Sequence, residues 1–304
     1  MRSFTVIWPV AVLLLASSGA HAAETTTFDR QVGAQPQGVV DVSSTAGTIE
    51  VTGWDRAEVS VHADLGTGVD HVEVTSEQGR TVVKVLLRPQ VMSSFFSGGR
   101  NNTRLHVQIP KGSELDVTTV SADVTSDGVL GVQRLRTVSG DVAAELGPSN
   151  LELKTVSGDV KLRGHGQPAQ LTVGTVSGDV HLEHGAGALE ASTVSGEITA
   201  SLDSAHSVRA HSTSGDVRID ARLERGAEFE AQTVSGEVKV HAPSEDGFQY
   251  DVGTLSGEIS DCFDVKAERS SEYGPGHNLR GTRGGGSARL RLRTMSGDVE
   301  LCDR

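Results

Sequence analysis

One short phrase, Thr-Val-Ser-Gly-Asp-Val, stands at residues 137–142, 155–160 and 175–180 and returns in close variants at 193–198, 233–238, 254–259 and 294–299. Self-similarity at a near-fixed period marks repeat architectures. The glycines of the units fall at Gly140, Gly158, Gly178, Gly196, Gly215, Gly236, Gly257 and Gly297, at intervals of 18, 20, 18, 19, 21, 21 and 40 residues. A worn copy, with Ala122 in the glycine position, lies 18 residues earlier. Paired-helix repeats need about 33 to 47 residues, so this period fits one coil of a β-solenoid.

Polarity within a unit agrees. In Leu151-Glu152-Leu153-Lys154 and Val160-Lys161-Leu162 apolar and polar residues alternate, the pattern of a half-buried strand. Two short strands are then joined at Ser-Gly, where glycine permits a backbone that other residues resist. Two residues after each glycine the column reads Val142, Val160, Val180, Ile198, Val217, Val238, Ile259 and Val299, β-branched throughout. Five residues before it the column is Leu135, Leu153, Val173, Ala191, Ala210, Ala231, Val252 and Leu292, so the core is expected to narrow mid-stack. One coil buries only four or five aliphatic side chains, worth roughly 1.5 to 3 kcal/mol each, against about 1.5 kcal/mol of ordering entropy per residue. Stability must therefore come from stacking. Nine coils at about 4.8 Å each make a rod on the order of 40 Å long. The fold class predicted is all-β, a single-stranded parallel β-solenoid with 18–21 residue coils.

The chain opens with Met1-Arg2, an apolar run from Val6 to Ala16 and then Ala20-His21-Ala22, which reads as a secretory signal peptide over 1–22. The run is shorter than the roughly 20 residues that span a bilayer. A periplasmic or secreted protein is expected, with no transmembrane segment in the mature chain. The mature chain carries 26 basic and 40 acidic residues, net −14, which disfavours nucleic acid and anionic lipid as partners. At 4% aromatics, a broad stacking groove for sugars or bases is not expected.

Cys262 and Cys302 each lie five residues after a repeat glycine and so share a column. If the 40-residue interval holds one coil with a long insertion, they are neighbours about 4.8 Å apart, within disulfide reach. If it holds two coils, they stand about 10 Å apart and cannot bond. In an oxidising compartment a disulfide is favoured over free thiols, a redox switch or a metal pair. Its expected purpose is to clip the last coil, which would have no neighbour beyond it.

Residues 23–110 alternate like strands with a looser period and read as the start or the cap of a solenoid that occupies 111–304. Phe95 and Phe96 sit in a glycine- and serine-rich loop, read either as a cover over the open core or as a partner-binding tip. A second insertion, 263–288, is rich in glycine and charge. Asp141, Asp159, Asp179, Glu197, Asp216, Glu237, Glu258 and Asp298 each follow a glycine, so stacking sets like charges about 4.8 Å apart. These are read as solvated turn carboxylates, with calcium bridging as the alternative. Arg291 matches Asp251 in its column as a cross-strand pair, and His181 and His184, three apart on a strand, are expected on opposite faces. No hydrolase elbow, zinc-protease helix motif, P-loop or complete dinucleotide fingerprint is found. The polar residues that do occur recur in every unit, so they read as scaffold before chemistry. No catalytic residue, metal or cofactor is assigned.

The run Val107-Gln108-Ile109-Pro110-Lys111-Gly112, then Leu115-Asp116-Val117-Thr118-Thr119-Val120-Ser121 and the Thr-Val-Ser-Gly-Asp-Val series, resembles a family of bacterial envelope proteins provisionally named adhesins, a domain of otherwise unknown function. Ile49-Glu50-Val51-Thr52-Gly53-Trp54-Asp55 is similar to the opening strand segment of that family. The resemblance covers nearly all the mature chain and implies a β-solenoid, an exported or envelope location and no catalytic residues to carry over. Ala122 departs from the family's glycine and loosens the expected first turn. The expected function is a non-catalytic envelope protein, an adhesin-like binding or scaffold module that contacts an envelope or surface macromolecule. The alternatives are a solenoid-fold polysaccharide lyase or hydrolase, with or without calcium, and a plain spacer.

Overall fold

A computed structural model describes residues 26–66, 68–88, 103–263, 268–269 and 276–303. The expected signal segment 1–22, Phe95, Phe96 and the middle of the 263–288 insertion lie outside them. Among the described residues every regular element is a strand, and all the strands join one sheet. The fold is β-solenoid-like. Parallel pairing carries Leu135 onto Leu153, Val173, Ala191, Ala210, Ala231, Leu292 and Val252 in turn. On the other side of the Ser-Gly corner it carries Val124 onto Val142, Val160, Val180, Ile198, Val217, Val238, Val299 and Ile259. These two ladders face inward and, apart from Ile259 at the end, are buried.

In the early coils the strands are short, as in Leu151–Lys154 and Val160–Arg163. Later they run through the second corner as single long strands, Val180–Ser195, Ile198–Ser214 and Val217–Ser235. Register shifts near Gly185 and Leu202 absorb the unequal coil lengths, as bulges do in other sheets. In these coils the first ladder is only alanine, and Leu189, Leu202, Val208 and Phe229 complete the buried layer.

The N-terminal region joins the same stack. Strand Val39–Trp54 lies parallel to Glu114–Asp127 through both walls, with Gly47 opposite Ala122. Ala122 is buried inside a continuous strand that carries Val117 onto one wall and Val124 onto the other, so this corner is turned without a glycine. Beyond Val39–Trp54 the two walls part. One continues through Arg80–Leu87 into the antiparallel hairpin with Val69–Glu77. The other continues through Arg104–Pro110 to Glu58–Leu65 and then Thr26–Gly33, both antiparallel.

At the other end chain order and spatial order differ. Strand Ala288–Ser296 pairs with Val217–Ser235 on one side and Gly247–Ser256 on the other. The C-terminal coil is therefore inserted between the Gly236 and Gly257 coils. The expectation that the last coil has no neighbour beyond it is overturned: the outermost coil is that of Gly257, whose free edge is covered by the antiparallel strand His277–Gly284. The 40-residue interval is the excursion that makes this return possible.

Candidate interaction surface

The geometry of each repeat follows from its alternation. The threonine three residues before the glycine points inward: Thr137, Thr155, Thr175, Thr193, Thr233, Thr254 and Thr294 are buried. The next residue must then point outward, and it is apolar. Val120, Val138, Val156, Val176, Val194, Val234, Met295 and Leu255 are 43–54% exposed, while the column's remaining member, Thr213, is polar. Pairing through the corner, at Ser139 with Ser157, Ser157 with Ser177 and Ser177 with Ser195, keeps the rungs aligned. Eight apolar side chains in a nine-rung column make an outward stripe, interrupted at Thr213. Single exposed apolar residues are ordinary on a protein surface, but a contiguous patch is not.

The corner that presents the stripe is set by glycine. Gly178 has φ +158°, and a Cβ there would lie 2.1 Å from the Gly158 carbonyl oxygen. The same close approach recurs along the column, including Gly257 on Gly297 and Gly297 on Gly236 at 2.0 Å. A side chain on any rung would force the coils apart.

Beyond the corner, the acidic column is a hydrogen-bonded ladder. Asp123, Asp141, Asp159 and Asp179 each accept the backbone N–H of the acidic residue one coil on, at 2.8–3.1 Å. Asp216 accepts from Glu237 at 2.9 Å and Asp298 from Glu258 at 2.8 Å. The longer glutamates serve differently. Glu197 pairs with Arg218, and hydrogen bonds from Arg218 first and Thr199 second hold its carboxyl below the usual range. Glu237 pairs with Lys239 at 3.0 Å, which raises the lysine. Among the described residues, no group of three His, Cys, Asp or Glu side chains converges as a metal site.

Shallow grooves flank the stack, two of them with charged linings that bear on the expected site residues. One, of about 590 Å³, is lined by Arg209, Glu230, Asp251, Arg280, Arg289 and Arg291 among others. Arg291 is the register partner of Asp251, yet the ion pairs of Asp251 are with Arg293 at 2.6 Å and Arg280 at 3.0 Å. Burial pushes the Asp251 carboxyl up, and the hydrogen bonds from these two arginines bring it below its ordinary value. The other groove, of about 530 Å³, is lined by both His181 and His184, so they do not sit on opposite faces. His184 has φ +53° and leaves the strand alternation at the bulge. His181–Glu183, His184–Asp203 and His241–Asp220 are histidine–carboxylate contacts of 3.1–3.3 Å. The same pairing recurs at His165–Glu145, His106–Glu50 and His62–Asp29, so it braces coils along the molecule and singles out no one constellation.

Cys262 and Cys302 are bonded, with their Cα atoms 5.0 Å apart. Leu301 is the register partner of Asp261, and its carbonyl oxygen accepts the Cys262 N–H at 3.2 Å. The bridge thus fastens the inserted coil to the outermost one. The glycine column lies at the corner, and the valine stripe beside it was absent from the expected site residues. The signal for it was present: Val138 stands one residue from inward Thr137 and two from outward Arg136, so period-two alternation alone places it outside.

Residues 39–247 and 224–302 match the model of the Toastrack DUF4097 family. Among solved structures the chain is similar to a provisionally named cell adhesion protein from Clostridium sporogenes, at 9% identity over 91% of this chain and 99% of that one, TM-score 0.25. It is also similar to a provisionally named lipid binding protein from Parabacteroides distasonis, at 14% identity over 90% and 96%, TM-score 0.44. A provisionally named adhesin from Bacteroides fragilis matches at 11% identity over 91% and 97%, TM-score 0.35. Likeness at this level says nothing of function, and no match is found among curated proteins. The two matched segments together span almost the whole repeat region and its N-terminal continuation, and the chain belongs to the Toastrack DUF4097 family.

Proposed function

We propose that this chain is an exported, non-catalytic binding or scaffold module of the cell envelope, a single-stranded parallel β-solenoid of 18–21 residue coils that offers its apolar stripe to a macromolecular partner. The observation that carries the reading is the stripe itself. Eight half-exposed aliphatic or thioether side chains on one line present on the order of 600 Å² of apolar surface, the size that marks an interaction site on a monomer. Its neighbours across the corner are a carboxylate column whose backbone hydrogen bonds are internally satisfied, which leaves the apolar line as the feature without a structural role in its own coil. The Cys262–Cys302 bond and the leader-like start suit an oxidising compartment. The proposed organisation is a leader over 1–22, an N-terminal region that begins the stack, and the repeat body from 111.

The test is capture of envelope macromolecules by the immobilised mature chain, compared with the double variant Val156→Asp, Val176→Asp. The reading predicts saturable capture by the natural chain and its loss in the variant. Equal capture by a folded variant refutes it.

A further inference from the structure

Resting on that contact reading, we propose that the occupant of the stripe is a second copy of this chain, docked with its stack parallel to the first about a two-fold axis along the stack. Three observations point there. The first is commensurability: Val120, Val138, Val156, Val176 and Val194 repeat at the spacing of parallel strands, about 4.8 Å, and only another such ladder can seat its side chains rung for rung in theirs. The second is area. A stripe of roughly 600 Å² on each partner gives a total near 1,200 Å², the lower end of stable interfaces.

The third is the charge on the two flanks. Two residues before each stripe residue the outward column reads Thr118, Arg136, Lys154, Gly174, Ser192, His211, Gln232, Arg293 and Gly253, without one acid. Across the corner the column from Asp123 to Asp298 and Glu258 is acidic at every rung. With the two-fold along the stack, the acid-free flank of each copy faces the acidic flank of the other at the same level. With the two-fold across the stack, acid faces acid and the pair is repelled. Arg136 and Lys154 already hold Glu152 at 3.4 and 2.7 Å. Their part is therefore to set orientation, and affinity comes from the apolar rungs.

Sedimentation velocity on the mature chain should show a reversible dimer with Kd on the order of 1–10 μM. Val156→Asp with Val176→Asp should weaken it at least ~30-fold. Val156→Thr with Val176→Thr keeps the β-branch and guards against misfolding; it should weaken the dimer less, with an unchanged circular dichroism spectrum. Orientation is read from single substitutions near the two ends, Val138→Cys and Val234→Cys. Each should form a covalent dimer with its own copy on mild oxidation. Linkage only at the middle rung, in Val194→Cys, overturns the parallel arrangement. A natural chain that is monomeric at roughly 100 μM overturns the dimer. If envelope capture is then still lost in the Asp variant, the contact reading stands with a different occupant; if capture is unchanged as well, both fail.

Discussion

Asp179 accepts the Glu197 N–H at 2.8 Å while its own N–H is held by Asp159 at 3.1 Å. Each such carboxylate thus supplies the acceptor that offsets the repulsion expected from stacking like charges. Aspartate is the length that reaches; glutamate overshoots and turns to Arg218 or Lys239. Asp179→Ala should cost about 1 kcal/mol, the net worth of a part-exposed hydrogen bond, and Asp179→Asn, which keeps an acceptor oxygen, should cost less. Chemical denaturation of the two variants checks the order. The neighbouring glycine is less forgiving. Gly178→Ala puts a Cβ 2.1 Å from the Gly158 carbonyl oxygen, and a loss of about 3 kcal/mol or more is expected from strain and displaced coils. The same denaturation series measures it. The glycine could be read from the sequence because it interrupts every unit; the aspartate's acceptor role could not, because it depends on which N–H lies above it in the stack.

At the scale of the element, the two ends of the chain are fastened differently. Strand Thr26–Gly33 is an edge strand held antiparallel to Glu58–Leu65, with Asp29 bonded to His62 at 2.6 Å. The hydrogen bond to Asp29 raises the His62 pKa above its ordinary 6.5, against a smaller opposing desolvation. A raised histidine stabilises the folded edge fully below pH 6.5 and loses that contribution as pH climbs through the raised value. Amide exchange of residues 26–33, corrected for intrinsic rate, should therefore be slower at about pH 6 than at about pH 8.5, and Asp29→Asn should flatten the difference. At the other end the Cys262–Cys302 bond closes a separation of 40 residues. Cys302→Ser should lower stability by roughly 3 to 4 kcal/mol on the loop-entropy account, with the earliest loss of exchange protection in the outermost residues 259–262. Two strand ladders and the shared cysteine column were legible because local alternation and spacing encode them. The return of the C-terminal coil into a gap between two earlier ones was not, since repeats this alike carry no label of stacking order, and only the register of Leu292 with both Ala231 and Val252 reveals it.

The whole molecule behaves as a one-dimensional array, in which each coil meets only its two neighbours and the core is a sum of like interfaces. Such an array should tolerate loss of a whole period and reject loss of a fraction. Excision of residues 159–178 joins Gly158 directly to Asp179, so the 18-residue Gly140–Gly158 coil meets the 18-residue Gly178–Gly196 coil with every inward column intact. Leu153 then pairs with Ala191, and Val142 with Val180, in place of the removed Val173 and Val160. The shortened chain should unfold in one cooperative transition, with a modestly lower midpoint and one apolar rung fewer on its stripe. Excision of only residues 159–168 removes half a coil; the following strand then starts on the wrong wall and its inward residues meet solvent. That variant should lose the β-sheet circular dichroism signal or aggregate. If both deletions fold equally well, the coils are not the units that stack, and the apolar line they present is not a ladder.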